Sequence, residues 1–266
     1  NNRFYAEQCK VLFDTWKSIR DEGGQTPQIA FMYGDMPFTL LNGLYTLLEP
    51  FYNNPDYEDL LFKWEGKPLV LGNKDTTDER PWTVSDTTPQ TREYYREQLK
   101  NNPELNAFYT DTYKTLINET FTVRNCWAWR DEDGGWNWLQ EYKYRGGKFQ
   151  FSSGGPGRDA SGNFEQLALC MGHHPTTSKG RSYLGQRETV CPENDYGFSM
   201  DSGAGLGFEL QFNAVMHYDP NMVMITGWNE WTAGLNQTSS GYPNFAGSKD
   251  LGFQFVDQFS PEFSRD

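Results

Sequence analysis

"MVMITGWNEWTAG", residues 222–234, begins as an apolar run and ends in a cluster of Trp228, Asn229, Glu230 and Trp231. Continuous apolar residues without alternation read as a strand buried on both faces, the kind found in parallel sheets covered by helices. Moving outward, the pattern recurs. Strands are predicted at "PQIAFMY" (27–33), "KPLVLG" (67–72), "FTVRNCWAW" (121–129), "FEQLALCMG" (164–172) and "GFQFVDQF" (252–259). Helical periodicity runs through Phe38, Leu41, Leu44, Tyr45 and Leu48, over 93–117 with a break near Pro103, and over 207–218 with Phe208, Phe212 and Val215 on one face. An opening helix places Tyr5, Cys9, Leu12, Trp16 and Ile19 on one side and stops at Gly23 and Gly24. Residues 73–92, 130–163 and 173–206 read as loops.

Buried strands alternating with helices predict an α/β fold with a mostly parallel sheet. A doubly wound sheet would be favoured by a phosphate-binding glycine turn. "GAGLG" (203–207) resembles one superficially but does not directly follow an apolar strand, so it reads as a helix-entry loop. A (β/α)8 TIM barrel fits better, because polar and aromatic residues collect just after several strands: Tyr33 to Asp35, Trp127 to Asp131 including Trp129, His173 with His174, Trp228 to Trp231, and Asp257 with Gln258. Strand carboxyl ends form the active face of such a barrel, and the loops 130–163 and 173–206 are expected to make one wall of it. The 266 residues suit a single domain over 1–266.

A net charge of −13 disfavours nucleic acid and anionic membrane as partners. No stretch approaches the ~18–20 apolar residues of a membrane span, and none reads as a leader. Aromatics are 16% of the chain and include nine tryptophans, enough to fill a core and still stack on something flat, such as a sugar. Cys9, Cys126, Cys170 and Cys191 lack the short paired spacings of a zinc site. His173 and His174 are neighbours, which strand alternation points to opposite sides, and "RDEDGG" (130–135) lacks the ligand series of a calcium loop. No metal and no cofactor are therefore expected. Two sequons, Asn118-Glu119-Thr120 and Asn236-Gln237-Thr238, favour export to a secreted, periplasmic or cell-surface location.

Glu230, walled by two indoles and steadied by the Asn229 amide, suits glycoside cleavage, where carboxylates protonate the leaving oxygen and assist attack at the anomeric carbon. Its expected partner is a polysaccharide or oligosaccharide. The competing reading makes the glutamate an ion-pair partner and the tryptophans plugs of the barrel mouth.

In combination, "ITGWNEWTAG", "GGQTPQIAF", "WEGKPLVLG", "GHHPTTSKGRSY" and "FVDQFSPEFSRD" make the chain resemble bacterial proteins of the glycoside hydrolase family 71/99-like group. The resemblance runs through most of the chain and implies a (β/α)8 barrel acting on α-glucan or α-mannan. It also implies that this chain lacks the first one or two barrel strands. By the resemblance Glu230 carries over as a catalytic or substrate-contacting carboxylate, and it is taken as the first catalytic candidate. From their place at predicted strand ends, Trp228, Asn229, Trp231, His173, His174, Trp129, Asp257, Gln258 and Tyr33 are substrate-binding candidates. One departure matters: the family 99 motif carries a second catalytic glutamate where this chain has Ala233. Asp131, Asp35 and Asp257 are the replacements that the sequence offers, with Asp131 taken as the second catalytic candidate. The loss also leaves a non-catalytic carbohydrate-binding or surface-assembly protein as the alternative function.

Overall fold

The computed structural model describes residues 6–34, 37–74, 97–127, 135–138, 140–153, 155–170, 206–226, 235–237 and 253–255. The chain divides into two compact units, Asn1–Cys126 and Trp127–Asp266.

In the first unit, α1 (Ala6–Asp21) carries the i,i+4 ion pairs Lys10–Asp14 and Lys17–Asp21 on its exposed side. It ends where Gly23 turns to φ +85°: Gly23 N–H donates to the Arg20 carbonyl at 2.9 Å and Gly24 N–H to the Ile19 carbonyl at 2.8 Å. These two bonds satisfy carbonyls that a helix end otherwise leaves open. A Cβ on Gly24 would lie 2.6 Å from Ile19 Cγ2, so glycine is needed there.

The buried face of α1 is not centred where the apolar pattern predicted. Phe13 is fully buried, with ring centroids 4.9 Å from Phe51, 5.0 Å from Tyr57 and 5.9 Å from Phe31, whereas Leu12 and Ile19 each stay 39% exposed. Cys9 and Trp16 of the predicted face do pack against this core, so the buried face is the predicted one turned toward Phe13 by less than the ~100° of one residue. The aromatic ring decides it, because it offers the larger buried area.

β1 (Phe31–Met32), β3 (Lys67–Leu71) and β4 (Thr122–Arg124) pair in parallel, with Phe31 opposite Val70 and Val70 opposite Val123. α2 (Pro37–Leu47) makes the first crossover, and its Phe38, Leu40, Leu41, Leu44 and Leu47 share one core with Val70 and Val123. The second crossover includes α3 (Pro103–Phe108), where Asn102 Oδ1 accepts from Leu105 N–H and Pro103 takes the first turn, so the expected break falls at this proline. β2 (Lys63–Trp64) runs antiparallel to the start of β3 through a two-residue turn, Glu65 at φ +53° and Gly66 at φ +79°. By strand alternation Leu69, Leu71, Thr122 and Arg124 share the sheet face opposite Val70 and Val123. Leu69 and Leu71 are buried there, so β3 is covered on both faces, as its continuous apolar run implied.

β5 (Cys126–Trp127) ends the first unit and starts the second. In the second unit β10 (Phe164–Cys170) is central. β11 (Met222–Thr226) lies parallel on one flank, reached through α4 (Leu206–Tyr218), and β9 (Gly157–Arg158) lies antiparallel on the other.

The expected irregular stretch 130–163 contains regular structure. β6 (Trp136–Asn137) is followed by a hairpin of β7 (Glu141–Arg145) and β8 (Lys148–Ser153), closed by Gly146 and Gly147 at φ +59° and +75°. Its Tyr142, Phe149 and Phe151 pack with Leu167, Leu169, Ala214 and Val215. The described part of this stretch therefore runs along β10 and against α4 as well as toward the strand ends. β12 (Leu235–Gln237) and β13 (Phe253–Phe255) form an antiparallel pair, so the last predicted strand has an antiparallel partner. Among the described residues no helix is long and apolar enough to cross a membrane.

Candidate functional site

The carboxyl ends of the parallel strands are the natural place for a site in either kind of α/β sheet. Of the residues predicted to act, Glu230, Asp131, Trp228, Asn229, Trp231, His173, His174, Trp129, Asp257 and Gln258 lie outside the described residues, as does Asp35. β11 is the strand predicted from "MVMIT", but it is not buried on both faces as its apolar run implied: burial alternates along it, with Val223 38% and Ile225 47% exposed. The "GWNEW" segment follows its carboxyl end directly.

Tyr33 is described. It follows β1, and its N–H donates to the Leu71 carbonyl at 2.8 Å. Its side chain is 3% exposed and belongs to the helix-covered core, with the hydroxyl 3.1 Å from that of Tyr52. Burial, and then the neighbouring Tyr52, push its pKa well above the usual phenol value. Tyr33, expected to contact substrate, is thus a buried core residue of the first unit, with almost no surface left to offer a ligand.

Two polar residues that sequence reasoning passed over stand at the same edge. Lys74 follows β3, Asn125 follows β4, and Asn125 Oδ1 accepts from Lys74 N–H at 3.3 Å. One step earlier, Gly72 N–H donates to the Arg124 carbonyl at 2.9 Å. Neither carries a sequence signal: Lys74 comes after Asn73 past β3, and Asn125 lies inside the strand predicted over 121–129, which the structure breaks there into β4 and β5.

In the second unit residues 136–140 are held along the length of β10 by amides. Gln166 Oε1 accepts from Asn137 N–H at 2.9 Å and Gln166 Nε2 donates to the Asn137 carbonyl at 2.7 Å, so one side chain imitates a β-bridge. Gln140 Oε1 accepts from Ala168 N–H at 2.6 Å, and Gln140 Nε2 donates to the Gly155 carbonyl. Tyr142 Oη donates to the Ala168 carbonyl at 2.7 Å, with Gln140 Oε1 3.1 Å away. Buried polar groups of this kind specify one arrangement because all are satisfied together. The bracing holds 136–140 along β10 and leads to Trp138, whose carbonyl accepts from Thr226 Oγ1. Trp138, half-buried, thus stands beside the last residue of β11, where "GWNEW" begins.

Glu165 is a buried carboxylate, but it is the second residue of β10, far from the carboxyl edge, and accepts from Trp136 Nε1 at 2.7 Å. It therefore does not stand with the residues at the strand ends. Among the described residues no group of three or more His, Cys, Asp or Glu is arranged to hold a metal ion. No family model, curated protein or solved structure matches the chain.

Proposed function

We propose that the chain is a glycoside hydrolase of the 71/99-like type. It would act on a neutral polysaccharide outside the cell, with Glu230 as the carboxylate that serves the scissile bond. The observation that carries this reading is "GWNEW" directly after the carboxyl end of a strand paired in parallel with β10. Support also comes from the β1–α2–β3 and β10–α4–β11 crossovers, which are the repeating unit of a (β/α)8 barrel, here proposed as a single domain. Trp228 and Trp231 would stack on sugar rings and Asn229 would orient the glutamate, with Trp129, His173, His174 and Gln258 as further contacts. Asp131, Asp35 and Asp257 are the candidates for the second acid. A separation from Glu230 of ~5 Å would give retention and ~6.5–9.5 Å inversion.

Ala233 favours a second reading, a non-catalytic carbohydrate-binding or surface-assembly protein on the same fold. Incubation with soluble α-glucan and α-mannan separates the two. New reducing ends support the hydrolase, and binding without new reducing ends supports the second reading. Neither binding nor cleavage overturns both.

A further inference from the structure

Along β4 the polar side chains are committed one after another until the strand ends. Thr122 Oγ1 donates to the Trp64 carbonyl at 2.7 Å, and the Arg124 guanidinium pairs with Glu65 at 3.0 Å. Asn125 differs. Its Oδ1 is taken by Lys74 N–H, which fixes the plane of the carboxamide, while Nδ2 has no partner among the described residues and is only half-buried. Beside it Lys74 is exposed, and its ammonium makes no ion pair among the described residues. Two donors thus stand unspent at adjacent strand ends, one of them already oriented. Orientation matters because a donor held in place loses less freedom on binding than one that must be ordered by the ligand.

We propose that Asn125 is a substrate-contacting residue whose Nδ2 donates to a hydroxyl oxygen of a neutral polysaccharide bound at the carboxyl ends of β3 and β4, with Lys74 as a second donor beside it. The proposal rests on the function proposed above and adds residues that no resemblance supplied. Hydroxyl oxygens suit both donors, and a chain of net charge −13 disfavours a polyanion in their place.

Asn125→Asp tests it with little change of shape. The carboxylate still accepts from Lys74 N–H, but Nδ2 becomes an acceptor and the donated bond is lost. On soluble α-glucan or α-mannan, whichever the wild type cleaves or binds, KM or Kd should rise about tenfold. That corresponds to ~1.4 kcal/mol, within the range for a polar contact left unpaired. kcat should stay within about twofold, and thermal unfolding should be unchanged. Lys74→Met should raise KM or Kd about threefold, and its exposed position keeps the test open if Asn125→Asp misfolds. Wild-type KM or Kd in well-folded variants overturns the assignment of Asn125 and leaves the proposed function standing. A wild type that neither binds nor cleaves either polysaccharide overturns both.

Discussion

The amide bracing of β10 can be broken at one point with a calculable cost. Gln140 is 2% exposed and Tyr142 is 3% exposed, so neither group is compensated by water when its partner is removed. Gln140→Ala removes the acceptor for Ala168 N–H and the donor to the Gly155 carbonyl. An unpaired buried N–H costs ~1–3 kcal/mol, and a net hydrogen bond contributes ~0.5–1.5 kcal/mol, so about 2–4 kcal/mol of stability should be lost. Tyr142→Phe keeps the ring among Leu167, Leu169, Ala214 and Val215 and removes only the hydroxyl, which donates to the Ala168 carbonyl. About 1 kcal/mol is expected. Because both side chains serve Ala168 and lie 3.1 Å apart, the double variant should lose less than the sum of the singles, by ~0.5 kcal/mol or more. Urea unfolding followed by tryptophan fluorescence reads this, with the second transition fitted separately if the two units unfold apart. A Gln140→Ala loss under ~0.5 kcal/mol, or strict additivity, would refute the claim that these amides hold the strand.

Two further outcomes follow from the first unit. Phe13→Ala should cost about 3–5 kcal/mol by emptying the space among Phe31, Phe51 and Tyr57, whereas Leu12→Ala should cost under ~1 kcal/mol; the reverse ranking in urea unfolding would restore the face predicted from the apolar pattern. Hydrogen bonds from Lys10 and then Tyr57 hold the Asp14 carboxyl below its ordinary pKa. Its contribution is therefore present above the unfolded value of ~3.9 and lost as pH falls through the lower folded value. Asp14→Asn should flatten the fall in stability below about pH 4, and an unchanged acid limb in pH-dependent unfolding would count against it.

How far the sequence could be read differs from element to element. "KPLVLG" was legible because a strand covered on both faces has to be apolar throughout, and Val70 and Leu71 now occupy opposite faces of β3. Pro103 announced its helix start through its fixed φ and missing N–H. The face of α1 was legible at Cys9 and Trp16 but misplaced at Leu12 and Ile19, because periodicity weighs Leu12 and Phe13 alike, whereas packing favours the larger ring. The hairpin 141–153 was missed because Gly146 and Gly147 were read as loop. The alternation of Tyr142 with Tyr144 and of Phe149 with Phe151 on either side was its signal. Gln140 and Gln166 could not be found from the sequence, since their partners are backbone groups more than ten residues away in the chain. Asn125 and Lys74 carry no motif and become candidates only once β3 and β4 are seen side by side.

The most direct measurement of the central claim compares wild type with Glu230→Gln for release of reducing ends from the polysaccharide that the wild type cleaves, with thermal unfolding alongside. Glutamine keeps the size and the hydrogen-bonding reach but cannot transfer the proton, so kcat/KM should fall by about two to four orders of magnitude while the unfolding temperature stays the same. Wild-type hydrolysis by a well-folded Glu230→Gln protein would contradict the account.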